Sequence, residues 1–285
     1  MFFLEVENEF GRRLQLTQNE RNYQILKVDG LTPPKAEIVT IRLAMEDGEK
    51  FKSSHIDMRN IVITIKIEGN IERNRILLYD FFSVGAKSKI HYWNGTRNVS
   101  IEGYCENMDG DLFKNGQTLQ VSLVCPDPYW HESPATIFDL SYNQALFEFP
   151  FSIDSYGVEF GTYNEFLETT VVNDGDVETG FIWTVEADGG SVVNPVLYNV
   201  ITRDSMKVSV TIADGEVLII NTNKGRRSAI VRRANGTDVN LLNSISTDSK
   251  WLQVPRHGAV FTFNADSGKN FMKTKIEIEN RYKGV

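Results

Sequence analysis

Cysteine is nearly absent from this sequence: Cys105 and Cys125 are the only two in 285 residues. Two thiols cannot build the disulfide framework of a small secreted domain, so a folded chain must rest on an apolar core. The pair is compatible with one bridge between adjacent strands or with two buried free thiols. Histidine is scarce too, with His55, His91, His131 and His257 as the whole set. None stands in a His-x-x-x-His spacing and the cysteines form no Cys-x-x-Cys, so no zinc motif is legible. There is no Gly-x-Ser-x-Gly elbow, no Walker loop and no Gly-x-Gly-x-x-Gly after a strand pattern. The usual signatures of a serine hydrolase and of nucleotide binding are therefore missing. No apolar run approaches the ~18 residues of a membrane-spanning helix. The opening Met1-Phe2-Phe3-Leu4-Glu5-Val6-Glu7 meets acid where a signal peptide needs a basic start. Synthesis in the cytosol without signal-peptide export is the expectation, and membrane insertion is not expected.

Excess positive charge is also lacking. The formal net charge is −8, the wrong sign for a protein that holds nucleic acid by its phosphates. The one basic concentration, Lys224, Arg226 and Arg227 with Arg232 and Arg233, surrounds Gly225 between β-patterned runs and reads as a solvated hairpin. Asp174 with Asp176, and Asp109 with Asp111, are calcium-capable pairs without an EF-hand loop, and hairpin turns explain them. Carboxylates are abundant and nothing singles out a catalytic pair. The chain reads as built for assembly rather than turnover: no enzyme, no cofactor and no metal site are expected.

What is present is β pattern. Residues 36–44 and 59–67 carry β-branched residues in near-alternation, with Ile61, Ile63, Ile65 and Ile67 on one side. A period of two puts those isoleucines on one buried face, and Asp47-Gly48 signals a hairpin turn between the two runs. From Asn70 the period changes. Ile71, Leu77, Leu78, Phe81 and Phe82 fall on one helical stripe, Asn70 suits the N-cap, Glu72 the first turn and Gly85 the stop. Further strands are expected at 89–93 and 98–107, joined by the turn Asn94-Gly95-Thr96-Arg97, and at 117–124. That last strand runs into Cys125-Pro126-Asp127-Pro128-Tyr129-Trp130, where prolines end sheet pairing and two aromatics offer a docking surface.

Beyond it, 133–155 is aromatic-rich (Phe138, Tyr142, Phe147, Phe149, Phe151) and reads as a connector lying on the surface. Short β runs then recur at 167–173, 180–187, 196–200, 206–212, 217–221, 228–232 and 258–264, with a last strand at 273–280. Turn signals between them indicate a sandwich or jelly roll. The expected organisation is a first domain over 1–132, the connector, and a β-sandwich over 156–285. A return of the last strand towards the first domain is left open. Trp183 and Trp251 are either core residues of that sandwich or stacking platforms for a sugar ring.

The first half also resembles a known family. In order, it carries Tyr23-Gln24-Ile25-Leu26, Asp29-Gly30-Leu31 and Pro33-Pro34, then Asp47-Gly48 ahead of Phe51 and Ser53-Ser54. Arg59 to Ile67 with Gly69 precedes Asn74-Arg75 and Leu78-Tyr79-Asp80-Phe81-Phe82. Ile90-His91-Tyr92, Arg97 and Ile101-Glu102-Gly103-Tyr104 follow, then Gln120-Val121-Ser122-Leu123 and the proline corner. This ordered set resembles the distal tail protein (Dit) family, baseplate hub components of long-tailed phages of Gram-positive hosts. The second half is similar less specifically, through Asn173-Asp174-Gly175, Asn194-Pro195, Asp214-Gly215 and Ile276-Glu277-Ile278 with Arg281-Tyr282.

The resemblance implies a mainly β chain: a barrel-like N-terminal domain with one helix, then a galectin-like or carbohydrate-binding-module-like sandwich. It implies a ring, usually of six copies, that joins the tail tube to the tail-associated lysin or hub protein at the distal end of a virion tail. On that reading Asn94, Gly95, Arg97, Tyr129 and Trp130 are candidate subunit-interface residues, with intramolecular packing as the other explanation. The alternative is a carbohydrate-binding adhesin using Trp183 and Trp251.

Overall fold

A computed structural model describes residues 2–16, 21–45, 47–111, 116–145, 161–165 and 168–285, the side chains of 142–145 and 161–165 excepted. It divides into two compact units, one of residues 1–134 with 281–285 and the other of residues 135–280.

The first unit contains β1 (Phe3–Asn8), β2 (Arg13–Gln15), β3 (Tyr23–Asp29), β4 (Ala36–Arg42), β5 (Glu49–Ile56) and β6 (Arg59–Ile67). After helix α1 (Ile71–Phe81) come β7 (Lys87–Trp93), β8 (Asn98–Gly110), β9 (Thr118–Cys125) and β10 (Trp130–Glu132). Its main sheet runs β2-β1-β7-β8-β9-β6-β3. Among the described residues the path is open at β2 and β3, so the barrel-like expectation resolves there to a sheet that does not close. Alternation explains β6: Ile61, Ile63 and Ile65 are fully buried and Ile67 nearly so, against Leu78, Phe81 and Phe82 in the same core. Gly30, at φ +88°, lies so close to Asn60 that an added Cβ would fall 2.2 Å from its carbonyl oxygen. Only glycine fits such an approach.

The helix starts as its sequence dictates, with the Asn70 side chain accepting from the Arg73 amide at 3.2 Å. Two details differ. Leu77 is exposed, while Asn74 is buried on the stripe with Leu78 and Phe81. The Asn74 amide donates to the Glu68 carbonyl and the Tyr23 hydroxyl donates to the Asn74 carbonyl, which satisfies a polar group inside. The helix also stops before Gly85: the Phe82 amide caps it on Leu78, and Gly85 lies in the following turn, bonded to Cys105. Cys105 and Cys125 are buried free thiols. Burial pushes Cys125 up to about 12, so it stays protonated.

The second unit contains β11 (Thr136–Asp139), β12 (Ser141–Ala145), β13 (Gly161–Glu165), β14 (Thr169–Val171), β15 (Phe181–Ala187), β16 (Val192–Val193), β17 (Val196–Asn199), β18 (Ser205–Lys207) and β19 (Thr211–Ile212). It continues through β20 (Val217–Asn221), β21 (Ser228–Arg232), β22 (Asp238–Asn240), β23 (Ala259–Asn264) and β24 (Met272–Ile278). A six-stranded sheet, β11-β24-β15-β20-β21-β22, and a four-stranded sheet, β14-β23-β17-β18, share one apolar core. Phe181 and Phe261 meet edge to face across it at 5.3 Å between ring centres. This is the sandwich that the turn spacing indicates.

Strand β24 stays in that sandwich, and the residues after it rejoin the first unit as β25 (Arg281–Tyr282), paired with β10. Within the expected connector, 136–139 is a strand of the six-stranded sheet; 146–155, with Phe147, Phe149 and Phe151, lies outside the described residues.

Candidate assembly surfaces

Strands β4 and β5 pair only with each other among the described residues. The Asp47-Gly48 turn therefore makes a hairpin, but its second strand is β5 rather than β6. A bulge after Val39 sets Phe51 opposite Thr40 and Lys50 opposite Ile41. Alternation then puts Ile38 and Phe51 on one face and Val39 and Ile41 on the other. Ile38 is 62% exposed and Phe51 61%, with Ile41 and Leu43 also exposed and Met45 at the tip. An isolated two-stranded ribbon is marginal in water and usually needs a third strand or a packed face. A ribbon with apolar side chains on both faces is a surface in want of a partner. The sequence alternation announced β4; nothing local announced that neither of its faces enters the core.

The turn at 94–97 is built by Asn94, whose side-chain oxygen accepts from the Thr96 amide at 3.0 Å and the Arg97 amide at 2.8 Å. Gly95 sits exposed at φ +88°. Arg97 points at the chain's own tail: its guanidinium lies 4.1 Å from the Tyr282 ring centre and donates to the Gly284 carbonyl at 2.8 Å. The proline corner holds the same tail. Asp127 accepts from Arg281 at 2.8 Å and 3.1 Å and pairs with His131 at 3.0 Å. Burial alone would raise Asp127, but the bond from His131 and the charge of Arg281 outweigh it and hold the carboxyl at about 2. The Tyr129 ring carries Arg281 at 4.4 Å. Trp130 is fully buried, beside Tyr92 and Arg59, because β10 alternates and turns it inward. It contributes to the core and offers no docking surface, a correction to the expectation for that residue.

Arg59 completes this arrangement. It is 3% exposed and donates to the carbonyls of Pro128 (2.7 Å), Gly30 (2.5 Å), Thr32 (3.1 Å) and Lys283. The loop after β3, the proline corner and the tail thus meet on one guanidinium, whose pKa burial lowers.

In the second unit Trp183 is fully buried, its indole donating to Thr274 at 2.7 Å, so it cannot stack on a sugar. Trp251 packs partly against the same core, and Arg227 lies 5.2 Å from its ring centre. The basic concentration is the β20–β21 hairpin and its flanks, with Lys224 on Glu178, Arg232 on Asp238 and Arg233 on Glu216. Asn173 shapes the 173–177 turn, accepting from the Gly175 amide at 2.9 Å and donating to the Val177 carbonyl at 3.0 Å. No helix among the described residues is long and apolar enough to cross a membrane.

No protein-family model and no curated protein matches the sequence. Solved structures do. The chain is similar to the Dit protein of phage SPP1, described as a paradigm of the hub adsorption apparatus in phages infecting Gram-positive hosts: TM-score 0.70, 12% identity, 98% of each chain covered. It is also similar to chains of the phage P2 baseplate in its activated conformation, with Ca (TM-score 0.59, 11% identity, 100% of each chain) and with Sr (0.55, 10%, 98% of each). At such identities the likeness is one of fold. The chain has the mainly β fold of a phage baseplate hub protein along its whole length, in agreement with the resemblance its residues carry.

Proposed function

We propose that this chain is a structural distal tail protein of a phage or tail-like particle. Its copies form a ring, taken as hexameric, that joins the tail tube to the tail-tip hub or lysin. The observation that carries this reading is the end-to-end correspondence of fold with a hub protein, 98% of both chains. The β4–β5 ribbon supplies what a ring needs. Head-to-tail closure requires a surface on each copy that is incomplete alone, and Ile38, Ile41, Leu43 and Phe51 are exposed there. Burying such side chains against a neighbour contributes on the order of 1–2 kcal/mol each, enough when repeated around a closed ring to offset the entropy of association. Arg97 and Tyr129 serve instead to hold the tail, and Asn94 and Gly95 shape an exposed turn that remains available to a neighbour.

A non-catalytic, virion-located role follows from the same reading, with an acidic chain suiting a bore through which nucleic acid slides. Light scattering after size exclusion tests it. Six copies of 32.4 kDa give about 194 kDa. A strict monomer at high concentration, alone and mixed with its tube and tip partners, would overturn the ring. Of the two residues of the adhesin alternative, Trp183 is fully buried and Trp251 packs partly against the core.

A further inference from the structure

The root of the ribbon gathers three ligand-type side chains. Glu37 on β4 stands directly opposite His55 on β5, and Asp57 follows His55 by two residues. Cross-strand partners share a face, and Asp57, just past the end of β5, brings its carboxylate to the same imidazole. The His55 Nε2 lies 3.1 Å from a Glu37 oxygen and 3.4 Å from an Asp57 oxygen. One donor atom from each of the three falls within 4.8 Å of the others.

Two arguments make this more than a surface ion pair. A single imidazole nitrogen carries at most one proton, so at Nε2 it donates well to one carboxylate while the other anion is left facing its neighbour. The two separations from the His55 nitrogen, 3.1 Å and 3.4 Å, also suit ligands of one ion. With metal–ligand bonds of about 2.0–2.2 Å, neighbouring donors around a tetrahedral or octahedral ion stand roughly 3.0–3.5 Å apart.

We infer that Glu37, His55 and Asp57 bind one divalent transition-metal ion of the zinc type, with its remaining positions open to water or to a donor from another chain. Imidazole beside carboxylates favours zinc-like ions over calcium or magnesium, which take oxygen donors. Glu37 and Asp57 also line a cleft of about 550 Å³ with Pro33, Pro34 and Met58, so the open positions border accessible space. Such an ion ties both ribbon strands to the segment entering β6 and fixes the ribbon where it leaves the sheet. Binding at this site does not depend on whether copies form a ring.

Titration calorimetry on the tag-free full chain, with zinc chloride and with calcium chloride, tests the site. All three residues are exposed, so His55→Ala and Asp57→Asn leave the fold intact, which circular dichroism verifies. The expected result is one zinc per chain, weakened at least ~10-fold by either substitution and unchanged by Asp47→Asn at the ribbon tip. No zinc binding, zinc binding indifferent to His55→Ala, or calcium bound as tightly as zinc would each overturn the assignment.

Discussion

Arg59 is a buried cation whose described partners are backbone carbonyls, four of them from three separate stretches of chain. Replacing it by leucine keeps apolar bulk near Trp130 but removes the guanidinium that joins those carbonyls. An unsatisfied buried acceptor costs about 1–3 kcal/mol. Arg59→Leu is therefore expected to lower the stability of the first unit by about 2–4 kcal/mol in a urea titration, with the second unit's transition unmoved. Asp127 makes the complementary case through pH. Its folded pKa of about 2 lies below the ordinary 3.8, so its contribution is complete above about pH 4 and is lost as pH falls towards 2. The melting temperature of the natural chain should drop more steeply between pH 4 and pH 2 than that of Asp127→Asn, which has no carboxylate to protonate. Parallel profiles would remove Asp127 as the anchor of the tail.

At the scale of elements, the ribbon yields the sharpest expectation. Ile38 and Phe51 are solvent-facing in the single chain, and exposed substitutions usually shift stability by less than about 0.5 kcal/mol. The double variant Ile38→Ser, Phe51→Ser should keep its folded circular dichroism spectrum yet lose mass in light scattering, dropping from ring to monomer. A variant that keeps the ring mass would take the ribbon out of the interface. The same elements show what was legible in the sequence. The isoleucine alternation of β6 and the Asn70 cap are local patterns, and the structure keeps both. Leu77 lies outside the core because Asn74, a polar residue satisfied by backbone partners, takes the inward position that hydrophobicity assigns elsewhere. Strand β5 is not legible because its sequence, Glu49-Lys50-Phe51-Lys52-Ser53-Ser54-His55-Ile56, faces no core and so carries no alternation. Trp130 looked like a surface aromatic because its strand partner, Tyr282, lies at the far end of the chain. The Glu37, His55 and Asp57 group is illegible as a sequence motif for the same reason, since cross-strand register and not spacing brings Glu37 to the other two.

For the whole molecule, the pairing of β10 with β25 has an architectural meaning. Trp130 faces Tyr282 and His131 faces Arg281 as antiparallel neighbours, so the chain leaves the first unit and re-enters it at adjacent positions. Residues 135–280 stand to the first unit as the loop of a long hairpin. The tail is an integral part of that unit: Arg281 on Asp127, Tyr282 under Arg97, Lys283 on Arg59 and the Val285 amide on the Leu31 carbonyl at 3.2 Å. At Gly284 a Cβ would come 2.8 Å from Pro33, so the tail is seated closely. Two consequences follow. During synthesis the first unit is completed only when β25 has been made, after residues 135–280. A shortened protein, residues 1–134 joined to 281–285 by a short Gly-rich turn, should fold and keep the oligomeric state of the full chain, because loop closure across so small a gap costs little entropy. Residues 1–134 alone should be markedly less stable, having lost a strand and the partners it supplies to Asp127, Tyr129, Arg97 and Arg59. Equal stability of the two fragments by urea denaturation would reduce the tail to a passive ending, and loss of assembly only in the joined fragment would move the interface into the sandwich.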